Sequence, residues 1–225
     1  MGPFAEEMHA RLPAGFTLPA EIAALFDWIE GRGLLHASKR VAGDRFGTLQ
    51  PLEAPYRGAV VLFRVETPEE ARAYAEAWFG PGEAAGRIVP FARTGADGFY
   101  AAFWLDDDGR QHIVHLGSEG DGLCVLGRTP LDFLRLLAIG HNELGTGLAD
   151  PHGRPGDEPD DDRLVDNPPF RDWLTRTYGA AIPETVAEIV PSPPDSFATD
   201  SDDPFWRWAR RQIDQRDAGA GDDLG

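Results

Sequence analysis

"FYAAFWLDDDGRQHIVHL", residues 99–116, sets two apolar runs on either side of an acidic segment ending in glycine. Aromatic and β-branched residues dominate both runs, so 99–105 and 111–116 read as paired strands. Asp108-Gly109 is a favoured two-residue hairpin turn, and it sets a register. Phe103 falls opposite Val114, Leu105 opposite His112, Trp104 opposite Ile113 and Ala102 opposite His115. Asp107 then faces Arg110, an exposed charge pair worth a few tenths of a kcal/mol at most.

The same stretch raises a chemical alternative, in which Asp106, Asp107 and Asp108 join His112 and His115 at a metal or catalytic centre. Strand parity argues against it. His112 and His115 are an odd number of positions apart, so they point to opposite faces and cannot share an ion. The aspartates also lack the alternating oxygen ligands, the sixth-place glycine and the twelfth-place glutamate of a calcium loop. They read as turn residues. Both hairpin faces are apolar. Helices at 67–79 and 129–139 suit one. The other, expected to carry Trp104, Ile113 and His115, needs a cover from the C-terminal segment or from a partner.

Outward from the hairpin, Ile22, Leu25, Phe26 and Ile29 fall on one helical face, with Gly31 as a stop. "RFGTLQPL" and "GAVVLFRVE" (58–66) read as strands. Thr67-Pro68-Glu69-Glu70 is a capping-box start for a helix aligning Ala71, Tyr74, Ala75 and Trp78. "GLCVLG" is a short strand, and Thr129-Pro130 opens a helix turning Leu131, Leu134, Leu137 and Ala138 inward, with Gly140 closing it. These elements predict an α+β fold over 1–149: a central mixed or antiparallel sheet with packed helices. An acidic Pro/Gly loop spans 150–169. A helical extension with a frayed tail spans 170–225. In it Phe170/Trp173 and Phe205/Trp208, each pair three apart after an Asn or Asp cap, dock helices on the preceding core.

The 225 residues carry a formal net charge of −17. Such a surface disfavours nucleic acid and anionic lipid, since phosphates are repelled, and it suits a basic partner or solubility alone. The first residues, "MGPFAEEMHARLP", are acidic without an apolar run and do not read as a signal peptide. No apolar stretch approaches the ~18 residues of a membrane span. One cysteine, Cys124, excludes an internal disulfide framework and suits a reducing cytoplasm.

Candidate chemistry elsewhere is sparse. Asp157, Glu158, Asp160, Asp161 and Asp162, near His152, are positioned for a divalent metal only if the loop folds around it; charge runs in such loops are usually solvated. Ser118 lacks the G-x-S-x-G context of a nucleophile elbow, because Leu116 lies two before it. "GSEGDG" has no Lys/Ser pair for a phosphate loop. Cys124 reads as a small core residue and His141 as a helix C-terminal partner. No nucleophile, base and orienting group come together, so no catalytic, cofactor or metal residue is expected.

Three stretches resemble the SMI1/KNR4 family of the SUKH superfamily, over about 18–140. "LPAEIAALFDWIEGRG" is similar to its first helix. "VPFARTGADGFYAAFWLDDDGRQHIVHLGSEGD" is similar to its central strands around a Gly/Asp turn. "VLGRTPLDFLRLLA" is similar to its closing strand and helix. The Trp/Gly pattern that often precedes the family's helices near the N-terminus has no clear counterpart in this chain. The resemblance implies an α+β fold without shared catalytic residues. It also implies a bacterial immunity protein that neutralises a toxin by direct binding. A general interaction or regulatory scaffold of the same fold is the alternative, with a metal-dependent hydrolase behind it. The expected partner is a cationic toxin domain, met by Trp104 as aromatic anchor and by Asp106, Asp107, Asp108, Glu119 and Asp121 as acidic contacts. The chain is expected to be a monomer or weak dimer.

Overall fold

In a computed structural model of the chain, residues 1–39, 41–52, 61–95, 98–117, 122–156, 167–195 and 198–222 are described, with side chains to 218. Two helices, α1 (Pro3–Ala10) and α2 (Ala20–Gly31), precede strands β1 (Leu35–Ala37), β2 (Arg45–Thr48) and β3 (Leu62–Phe63). Helix α3 (Pro68–Phe79) leads to β4 (Ile88–Arg93), β5 (Tyr100–Leu105), β6 (Gln111–Leu116) and β7 (Cys124–Val125). Helices α4 (Pro130–Ile139), α5 (Leu144–Ala149), α6 (Pro168–Tyr178) and α7 (Pro204–Asp222) follow. The expected α+β class holds. The seven strands form one sheet in sequence order, and every pair is antiparallel.

The capping box expected at Thr67 forms, and the helix start expected at Thr129-Pro130 is closed by a second box. Thr67 accepts from Glu70 N–H and Thr129 from Asp132 N–H, with the acidic side chains returning to the cap backbone. Helix α1 and strand β1 have no counterpart in the sequence reading. At 8 residues α1 is too short to be stable alone. It persists because Phe4, Ala5 and Met8 are fully buried. The inward residues of α2 are those its periodicity predicts. In α4 the buried face instead centres on Phe133, Leu134 and Leu136, with Leu131 and Leu137 at its margin.

The hairpin register differs from the expected one by one residue. Phe103 pairs with Ile113, Trp104 with His112 and Leu105 with Gln111. The turn is a three-residue loop, Asp107-Asp108-Gly109. Gly109 N–H donates to the Asp106 carbonyl at 3.0 Å, Asp106 N–H donates to the Arg110 carbonyl at 2.9 Å, and Gly109 has φ +75°. This is a type I turn closed by a left-handed glycine. Asp106 favours it, because its Oδ1 accepts the N–H groups of Asp108 (2.9 Å) and Arg110 (2.8 Å). A one-residue slip turns every β6 side chain to the other face. Ile113 and His115 therefore lie with Phe103, while His112, Val114 and Leu116 lie with Trp104.

The sheet is covered on both sides. Phe91, Phe103 and Ile113 join Phe26, Phe133 and Phe170 in the larger core, under α1, α2, α4 and α6. A bulge between Pro90 and Ala92 interrupts the β4–β5 ladder at Phe91, and Phe91 and Ala92 both enter this core. Ala102, Trp104, Val114 and Leu116 form the second core with Phe79 of α3 and Phe205, Trp208 and Ala209 of α7. The C-terminal segment is thus the cover that the Trp104 face requires.

Candidate functional site

The outer end of the β5–β6 hairpin gathers most of the residues expected to meet a partner. Asp107 and Asp108 have side chains 68% exposed. Each has a basic neighbour: Asp107 meets Arg87 (2.8 Å) and Arg211 (3.1 Å), and Asp108 meets Arg110 (3.2 Å). The pairing of Asp107 with Arg110 expected from the two-residue turn is replaced by these contacts, because the longer loop turns Asp107 toward α7.

Asp106 is structural in its role. Besides two backbone N–H groups it receives Nε2 of His112 at 2.9 Å, and the carboxylate can only accept, so Nε2 carries the proton. Burial works to raise the Asp106 pKa, but His112 and the two N–H donors outweigh it and hold the carboxyl below its ordinary value.

Trp104 is 2% exposed. Its ring packs against Phe205 (5.2 Å between centroids) and Trp208 (5.7 Å) of α7 and against His112 (5.4 Å). With α7 in place it is a core residue and not a surface anchor. Expectation and structure part here because the pattern of β5 shows that this face is apolar, but not that a helix 100 residues later covers it. Glu119 and Asp121 lie outside the described residues, as do Ser118 and the acidic positions 157–162; His152 is exposed. Among the described residues, no group of three or more His, Cys, Asp or Glu is placed to hold a metal ion.

Three residues complete the tip without having been singled out: Arg87, Arg207 and Arg211. Arg87 donates to the Leu105 carbonyl (2.8 and 2.9 Å) and lies over the Trp208 ring at 5.2 Å. Asp203 caps α7 by accepting from Phe205 (2.9 Å) and Trp206 (3.0 Å). Burial pushes its carboxyl up, and the N–H donors of Val125, Trp206 and Phe205 only partly offset this. The "DPFW" sequence signals the cap, but nothing in it signals the contact with β7. A shallow cleft of about 260 Å³ separates the tip from α7, lined by Trp104, Trp208, the three hairpin aspartates, Asp202, Arg207 and Arg211.

The histidines separate as strand parity requires. His115 is 1% exposed on the larger-core side, with Nδ1 2.8 Å from the Gly122 carbonyl. Cys124 is fully buried, and burial pushes its thiol well up, with the Asp203 charge adding to the effect, so it is no nucleophile at neutral pH.

A second polar centre lies among α1, β2, β3 and α3. Arg64 is 16% exposed and holds Asp44, Glu66 and Glu70, forking onto both Glu70 oxygens at 2.8 Å. Arg11 also reaches Asp44, at 2.7 Å. Burial raises the pKa of both Asp44 and Glu70. The guanidiniums at Asp44, and the Thr67 N–H with Arg64 at Glu70, overcome it and hold both carboxyls below their ordinary values. The network borders a cleft of about 500 Å³ and is satisfied internally, which makes it a clamp between elements.

Compared with protein-family models, curated proteins and solved structures, the chain found no match. No helix among the described residues is long and apolar enough to cross a membrane.

Proposed function

We propose that this chain is a non-enzymatic, cytoplasmic binding protein that neutralises a cationic protein toxin by direct contact, as the SMI1/KNR4-like stretches imply. The observation that carries the reading is the outer end of the β5–β6 hairpin. There Asp107 and Asp108 are 68% exposed in a chain of net charge −17. Their intramolecular arginine partners do not remove them from use. Exposed ion pairs contribute ~0–1 kcal/mol, so a partner's cations can replace them at little cost. Long-range attraction to an acidic surface accelerates encounter and makes it salt-sensitive.

The test is affinity capture from the native host at low ionic strength, with association kinetics for the captured toxin. Reversal of Asp107 and Asp108 to Lys, and separately of Glu119 and Asp121, should slow association about tenfold without lowering thermal stability. Unchanged association rates for both variants would remove the acidic tip as the contact. Capture of a non-toxic regulatory protein alone would replace immunity by a scaffold role.

A further inference from the structure

We propose that α7 is a detachable strap over the Trp104 face, opening as one unit while the larger core on the other side of the sheet stays folded.

Three features of the fold carry this. The first is the separation of the two cores. Phe205, Trp208 and Ala209 of α7 belong to the second core, with Phe79, Ala102, Trp104, Val114 and Leu116, and none of these residues belongs to the larger one. The sheet lies between the cores, so departure of α7 uncovers one face and leaves the other packed.

The second is the course of the hydrogen bonds. A helix closes its backbone hydrogen bonds within itself, whereas the seven strands share theirs across one sheet. Detaching α7 breaks none of that ladder. Among the described residues, the helix and its cap are tied to the body by side chains: Asp203 to the Val125 N–H (3.0 Å), Arg211 to Asp107 (3.1 Å) and Arg216 to the Trp78 carbonyl (2.9 Å). Arg211 and Asp107 have side chains more than half exposed, so water replaces this pair at little cost. Val125 is on an edge strand, where water reaches the N–H that Asp203 releases.

The third is a weakness in the closed state. Trp104 and Trp208 are 2% exposed and their rings lie 5.7 Å apart, yet neither indole N–H has a hydrogen-bond partner among the described residues. Two donors buried without acceptors penalise the closed state relative to the open one, in which water satisfies both. Over 214–218 every side chain of α7 is exposed, so this part of the helix adds no burial. Burial of Phe205, Trp208 and Ala209 keeps the closed state dominant. Opening carries Trp104 from core to surface beside the acidic tip. The strap thus decides whether that tip is presented alone or with an aromatic face, whatever partner it meets.

Native-state hydrogen exchange of the full chain, followed by NMR in low urea, tests the strap. A 19-residue helix that has left its seat is marginal in water, so its amides exchange on opening. The amides of residues 208–213 and the indole N–H of Trp104 are expected to share one opening constant. It should exceed that of the β5–β6 ladder amides at least about 100-fold. The double variant Arg211→Ala/Arg216→Ala should raise this constant about fivefold and leave the ladder amides unchanged. Exchange of α7 and the Trp104 indole only together with the ladder would overturn the proposal. So would an α7 that exchanges while the Trp104 indole stays protected, which is fraying and not detachment. A double variant that leaves the opening constant unchanged, or speeds the ladder amides equally, counts against it as well. No partner enters the measurement, so its outcome is independent of toxin capture.

Discussion

Asp203, the cap of α7, accepts the N–H of Val125 on the outermost strand β7 at 3.0 Å, across 78 positions of chain. One carboxylate thus ties the last helix to the edge of the sheet and satisfies a backbone donor that an edge strand leaves open.

Asp203→Ala removes this contact together with the two cap hydrogen bonds. The expected loss is about 2 kcal/mol in urea unfolding, with faster proteolysis in the segment before α7. Its pH dependence has a definite sign. A carboxyl whose folded pKa is raised above its ordinary 3.8 contributes most below that value, and loses the contribution as pH rises through the folded pKa. The gap between wild type and variant should be wider near pH 4 than at pH 7.

Arg64→Met leaves Asp44, Glu66 and Glu70 together without their shared cation. Breaking a buried ion cluster on one side costs about 3 kcal/mol or more at neutral pH. In the wild type the Asp44 and Glu70 pKa values are depressed, so their stabilisation is present above the ordinary 3.8 and 4.5 and is lost as pH falls through the folded values. In the variant the crowded carboxylates repel, so acidification should narrow its deficit. Parallel pH–stability curves for the two proteins would contradict this.

Trp208→Ala opens a void beside Trp104, Phe79 and Phe205 in the second core. The expected destabilisation is about 3–5 kcal/mol, with a red shift of tryptophan emission as Trp104 meets water. A smaller loss without a shift would mean that α7 adds little to the cover of this face.

Gly109→Ala tests the hairpin loop. The glycine has φ +75°, and an added Cβ meets nothing within 4 Å, so only backbone strain opposes it. A loss of about 1 kcal/mol is expected, with Gly109→Asn milder. No change would be inconsistent with the three-residue loop.

Which parts of this were legible beforehand follows from the range of the forces involved. The hairpin, the helix starts at Thr67 and Thr129, the buried face of α2 and the docking rings Phe205 and Trp208 are written in local patterns, since propensity, capping and periodicity act within a few residues. Helix α1 was not legible, because burial of Phe4 and Met8 by distant chain holds it, not propensity. At the tip, the aspartates were visible in the sequence, whereas Arg87 reaches Asp107 only through the pairing of β4 with β5, and Arg211 only through the docking of α7.

The sequence by itself determined an acidic chain with a central aromatic hairpin, both of whose faces must be buried, and with histidines that strand parity keeps apart. Tertiary structure decided the register and the cover. Alternation specifies register only where one face is apolar and the other polar, and in β5 and β6 both faces are apolar, so either pairing satisfies the pattern. The choice fell to the Asp106 loop and to two cores filled from opposite sides. Trp104 became a core residue because α7 lies over it.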